Sequence, residues 1–184
     1  ALEFGTVSSD FVKLANGTAS TSASTLDVDG YFSSTYNAYR LYVYGLQNTG
    51  HSGNTMRMRF MQGGSVVTNS NYKFVNSLIY RSSGGSGNTD SNNWNTDYAD
   101  VSHLGDDNSA PSEGIIDILN PLSTTTFKKV LYKFFAKDGA TQYMMWDGCA
   151  TFTDNTTALS GIRLYTHSGN WTNAGTWYLY GMKS

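Results

Sequence analysis

Apolar and polar residues alternate with period two along most of the chain. In Thr55–Gln62, Met56, Met58 and Phe60 fall on one face, and Arg57, Arg59 and Met61 on the other. Residues 39–46 set Tyr39, Leu41 and Val43 against Arg40, Tyr42 and Tyr44. Both faces are partly apolar there, as in a central strand or one covered by a partner chain. The same pattern predicts strands over 11–15, 25–28, 72–80, 114–119, 129–136, 143–152, 161–167 and 176–182, each rich in Tyr, Phe, Val, Ile and Thr.

Turn signals punctuate this series. Lys137-Asp138-Gly139 reads as a hairpin turn between two aromatic strands, and Asn120-Pro121 stops the Ile-rich strand before it. No confident helix is present. About ten short strands joined by loops predict an all-β chain, an antiparallel β-sandwich of jelly-roll-like build. Residues 1–10 read as an N-terminal arm and 11–184 as one domain, because the strands on either side of any division are too few for two cores. Residues 82–95 break the pattern with a glycine-, serine- and asparagine-rich tract that continues weakly to 112. It is expected as a long exposed loop, the kind of segment that carries function on a rigid scaffold.

Composition narrows the classes. Charged residues are only 14% of the 184, aromatics reach 14%, and Ser, Thr and Asn supply about a third. Disorder is excluded by the aromatics and the low charge. A net charge of −2 gives no basic face for phosphate, so nucleic acid is not an expected partner. No apolar run approaches the ~20 residues of a membrane-spanning helix. Cys149 is the only cysteine, which rules out an intrachain disulfide and a cysteine zinc site; its surroundings read as a strand interior with an inert, buried thiol.

Gly161-Ile162-Arg163-Leu164-Tyr165, then Ser168-Gly169-Asn170, then Leu179-Tyr180-Gly181-Met182-Lys183 resembles the ending of a group of tailed-bacteriophage virion proteins. In that group the last two strands are joined by a Ser-Gly-Asn loop and close on a Leu-Tyr-Gly-apolar-Lys motif. Upstream, the stretch from Asp29-Gly30-Tyr31-Phe32 to Tyr39-Arg40-Leu41 is similar to the segment before the group's first long strand. Met56-Arg57-Met58-Arg59-Phe60 is similar to its next strand. Gly114-Ile115-Ile116-Asp117-Ile118-Leu119-Asn120-Pro121 is similar to its Ile-Asp-apolar-apolar-Asn-Pro signature. The matches keep their order from about residue 11 to 183. The resemblance implies a β-sandwich module of a tail fibre or tail-tip adhesin, exposed on the phage particle. It further implies a homotrimer that touches other virion proteins. It carries no catalytic motif, so a non-enzymatic role is expected. A head-decoration or capsid-fibre protein of the same fold is the alternative, and a polysaccharide depolymerase domain the third reading.

Few residues suggest chemistry. His51, His103 and His167 lack metal-ligand spacing. Gly84-Gly85-Ser86-Gly87 leads into no helix and so cannot cradle a phosphate. Asp90, Asp97, Asp100, Asp106 and Asp107 cluster in the polar tract. They could supply oxygens to a Ca²⁺ ion, though no EF-hand spacing is present, and no other cofactor is expected. Trp94, Asp97, Tyr98 and Asp100, set among Asn92, Asn93 and Asn95, form the candidate glycan loop, since aromatic faces flanked by amides and carboxylates suit sugar rings. Trp171 is a second candidate on a strand connection. For both tryptophans the competing reading is an anchor to the sandwich or a subunit contact.

Overall fold

The alternation is realised as two antiparallel sheets packed face to face, seen in a computed structural model that describes residues 10–48, 54–82, 84–105, 110–138 and 142–183. The predicted arm (save Asp10), His51, Asp106, Asp107 and the tip of the 137–139 turn lie outside the described residues. Among the described residues thirteen strands follow in order: β1 (Phe11–Thr18), β2 (Thr25–Asp29), β3 (Ala38–Leu46), β4 (Thr55–Gln62), β5 (Ser65–Val66), β6 (Tyr72–Ser82), β7 (Gly85–Thr96), β8 (Ala99–His103), β9 (Ser112–Leu119), β10 (Lys128–Asp138), β11 (Gln142–Phe152), β12 (Gly161–Thr166) and β13 (Thr176–Met182). The larger sheet has eight strands in the order β1-β13-β3-β9-β10-β11-β6-β7. The smaller runs β2-β12-β4-β5, with β8 also pairing β4. The chain passes repeatedly from one sheet to the other, as a jelly-roll-like sandwich does.

The ten predicted strands are all present. Three more were not expected, and two of them correct the reading of 82–112. Gly85–Thr96 is not a loop but an edge strand, paired with β6 along its length, and Ala99–His103 is a strand of the opposite sheet. From Gly85 the polar tract runs back beside β6, where backbone hydrogen bonds hold it and none of its described side chains is buried.

The core lies between the sheets. Tyr39, Leu41, Val43, Ile116, Ile118, Val130, Tyr132 and Phe134 face inward from the large sheet, and Met56, Met58, Phe60, Ile162 and Leu164 from the small one. Phe60 spans the gap, stacked on Tyr72 with ring centroids 5.6 Å apart and meeting Phe152 edge-on at 6.4 Å. Tyr72 closes a polar bridge inside the core: its hydroxyl accepts from Phe60 N at 2.8 Å and donates to Val67 O at 3.0 Å. Tyr39 does the same for the segment before β3, accepting from Ser33 N and donating to Ser33 O. The predicted Asn-Pro stop is present as well. Asn120 takes a φ of 47°, tolerable for asparagine, and its N–H bonds Asn37 O. The first and last strands are neighbours, Phe11 opposite Met182, and Lys183 N donates to Asp10 O.

Burial pushes the phenols of Tyr72 and Tyr132 well above the usual value, and that of Tyr165 up to about 12. A tyrosine whose folded pKa is raised holds its proton where the unfolded chain has lost it. Its stabilisation is complete below about pH 10 and is lost as pH climbs through the folded value. Buried Lys128, whose ammonium donates to Ser123 O and whose pKa is lowered by burial, works in the opposite sense. Three tyrosines outweigh one lysine, so the melting temperature should hold steady from pH 7 to about 10 and fall above it. Tyr72→Phe should lower stability at neutral pH by about 1–3 kcal/mol through the two orphaned backbone groups, yet flatten the alkaline fall. Calorimetry across this pH range checks both; a melting temperature unchanged to about pH 11.5 would count against the buried phenols.

Candidate functional site

The two outward faces of the sandwich differ in chemistry. On the small sheet, Asp27, Arg163 and Arg59 stand in one cross-strand row, and Arg57 and Asp100 in the next. Arg163 binds Asp27 through both carboxylate oxygens at 2.6 Å. Arg59 pairs with the Asp97 carboxylate and donates to Asp97 O at 2.7 Å, while Arg57 Nε meets Asp100 Oδ1 at 3.1 Å. This face is laced with part-buried ion pairs between strands.

The outer face of the large sheet is apolar over much of its area. Register sets its rows: Trp94, Lys73, Thr151, Lys129 and Leu119, then Asn92, Val75, Cys149, Leu131 and Asp117, and further along Ile79, Met145 and Phe135. Every exposed large hydrophobic side chain among the described residues, except Tyr31, lies on this face or at its rim. Two concavities mark it. A trough of about 730 Å³ runs over β10, β11, β6 and β7, walled by Val75, Trp94, Leu119, Phe127, Leu131 and Cys149. A cup of about 660 Å³ lies over β1, β13 and β3.

The candidate glycan residues are not brought together. The chain crosses between the sheets at 97–98, so Trp94 ends on the outer face of the large sheet and Asp97 and Asp100 on the outer face of the small one. A bulge sets this arrangement. Asn95, with a φ of 64°, is the extra residue between Thr96 opposite Tyr72 and Trp94 opposite Lys73, and it turns Trp94 outward. Trp94 is 72% exposed, and its ring lies 4.3 Å from Lys73 Nζ. It is therefore not a loop anchor, and its exposed ring faces outward on the large sheet. Tyr98 is an anchor, held between the Arg57 guanidinium at 3.8 Å and the Phe74 ring at 6.3 Å. Asp97 and Asp100 are taken up by arginines, so they neither flank a sugar beside Trp94 nor converge on a cation. Among the described residues no three His, Cys, Asp or Glu side chains gather around one point.

Trp171 is a second correction. Its side chain is fully buried in the core between the sheets, and its backbone N–H donates to Ala23 O at 2.9 Å. The Ser168-Gly169-Asn170 turn that delivers it is gripped from below. Asn48 Nδ2 donates to Ser168 O and Asn170 O, and Asn54 Nδ2 to Ser168 O at 2.9 Å. Gly169 sits at φ 71°, open to glycine without strain. Cys149 differs from its reading too: it is half-buried on the trough wall, not inside the core.

The sequence pattern hinted at the cup but not the trough. The double-sided alternation of β3 marks Tyr42 and Tyr44 as surplus apolar groups, whereas the trough side chains come from five strands, β6, β7, β9, β10 and β11. No protein-family model, no curated protein and no solved structure matches the chain.

Proposed function

We propose that the chain is a non-enzymatic structural module of a tailed-phage virion, a tail or fibre knob that self-associates and meets glycan on the host surface. The observation that carries the reading is the contrast between the two outward faces. A solvated protein has no use for Val75, Ile79, Leu131, Phe135 and Trp94 exposed side by side on one sheet, while its other sheet is covered with ion pairs. A second copy fits the trough, because its lining is mostly aliphatic and aromatic, with Lys73, Lys129 and Asn92 interspersed. Three copies is the number that the sequence resemblance implies. The non-enzymatic part of the reading rests on the sequence resemblance, which carries no catalytic motif.

Sedimentation at micromolar concentration should give a species of three 20.1 kDa chains. Leu131→Asp places a charge at the trough centre and should yield a monomer, with little change in melting temperature because Leu131 is half-exposed. A wild-type chain that remains monomeric up to about 100 μM would overturn the reading.

A further inference from the structure

The outer face of the large sheet changes character across β9. The trough side is aliphatic. The opposite side, over β1, β13 and β3, is a cup lined by Phe11, Tyr42, Tyr44, Thr176, Tyr178 and Tyr180. Four of these six side chains are phenols, which pair an apolar ring face with a hydroxyl at the rim.

The rings are fixed by one another. Tyr42 and Tyr44, two apart on β3, lie parallel with centroids 6.2 Å apart. Tyr180 meets Tyr42 edge-on at 5.6 Å, Tyr178 meets Tyr44 edge-on at 6.0 Å, and Phe11 meets Tyr180 at 6.5 Å. Arg40 braces the base. It binds Asp117 through two hydrogen bonds of 2.6 and 2.7 Å and lies 5.6 Å from the Phe11 centroid. All these residues stand on strands, so the geometry is set before any ligand arrives.

We propose that this cup is a saccharide-binding site for neutral sugar rings, a site distinct from Trp94 that rests on the glycan-contact reading above. The C–H faces of a pyranose stack on aromatic rings while its hydroxyls exchange hydrogen bonds with the phenols and Thr176. Charge argues for a neutral ligand. Lys13, 4.8 Å from the Tyr178 centroid, is offset by Glu113 near Tyr44, and Arg40 is already bound to Asp117. Burial raises the Tyr44 pKa further, so its hydroxyl stays a donor at neutral pH. Tyr42 already meets Arg40, but an aliphatic partner would desolvate the other hydroxyls without pairing them, which a sugar does not. The volume accommodates a short stretch of oligosaccharide, within the ordinary range of ligand sites.

Saturation-transfer NMR on the intact protein, with chitohexaose, cellohexaose, laminarihexaose and maltoheptaose as probes and polygalacturonate as the anionic comparison, tests the site. At least one neutral oligosaccharide should bind at each cup with a Kd between roughly 0.1 and 10 mM, and multiple copies would raise the avidity. Tyr42→Ala and Tyr178→Ala should each weaken it about tenfold, and Tyr178→Phe, which keeps the ring face, less than that. Melts of each variant keep misfolding apart from lost binding. Binding that survives Tyr42→Ala and Tyr178→Ala but disappears with Trp94→Ala would overturn the cup and leave the glycan reading standing. Absence of binding by all four neutral probes, or binding by polygalacturonate alone, would overturn the proposal. Self-association is read separately by sedimentation, so its failure and the cup's are told apart.

Discussion

Replacing Trp171 by Ala lowers the unfolding free energy by about 3–5 kcal/mol, whereas Trp94→Ala leaves it within about 0.5 kcal/mol. The two tryptophans look alike in sequence: each sits beside asparagine in a polar stretch outside the predicted strands. The structure separates them by burial. Trp171 has no exposed surface and belongs to the core, while Trp94 keeps 72% of its own. Removing an indole from between two sheets leaves a cavity that rigid β-ladders cannot close, so transfer and cavity costs add. In a domain of this size about 1 kcal/mol corresponds to roughly 2–4 °C, so Trp171→Ala should melt at least about 6 °C below the parent chain. Urea unfolding followed by tyrosine and tryptophan emission gives the free energies directly. A Trp171→Ala protein that melts within a degree or two of the parent would return that tryptophan to the surface.

Gly114→Ala should cost on the order of 3 kcal/mol or more. A glycine-to-alanine change in a strand ordinarily helps by about 0.4–1 kcal/mol, because the unfolded chain loses freedom. Here the added methyl would lie 2.2 Å from Lys133 O and 2.5 Å from Phe134 Cδ1. One of these atoms is backbone in the adjacent strand, so the clash cannot be relieved by rotating a side chain. Phe134 occupies the inner-face space that a residue opposite it would fill, and glycine is what lets its ring lie flat over β9. Gly114 begins the Gly-Ile-Ile-Asp segment that drew attention in the sequence, and packing gives it a physical reason. Denaturant midpoints of the two proteins, with equal m-values, measure the cost; a midpoint equal to or above the parent's would mean that β9 and β10 separate more easily than their register suggests.

The strands that bury one face were legible in the sequence, because a buried face writes a period of two. Met56, Met58 and Phe60 against Arg57 and Arg59 is the plainest case, and the small sheet follows it closely. β7 was not legible. Gly85–Thr96 has no apolar alternation, since neither of its faces meets the core; it is held by the backbone ladder to β6, which side-chain pattern does not report. β8 hid for a different reason. Ala99 and Val101 do point inward, but five residues among aspartates and a histidine make too short a run to stand out. The candidate site suffered from the same blind spot. Trp94 and Asp97 are three positions apart, and only the crossing between sheets, which no local pattern encodes, puts them on opposite sides of the sandwich. The aromatic cup was half visible, as tyrosines on the wrong face of β3, but its partners Phe11, Tyr178 and Tyr180 come from the two ends of the chain.

That meeting of distant segments sets a condition for folding. β13 is the strand that lies between β1 and β3, so neither of those completes its ladder until β13 is seated. Until then the sheet stays unclosed, with the edge of β3 bare. Such an intermediate is prone to pair with other copies of itself, and a long-range closure of this kind is slow as well. The seven-residue β13 therefore acts as a clasp: once seated, it joins β1 to β3 across segments far apart in sequence.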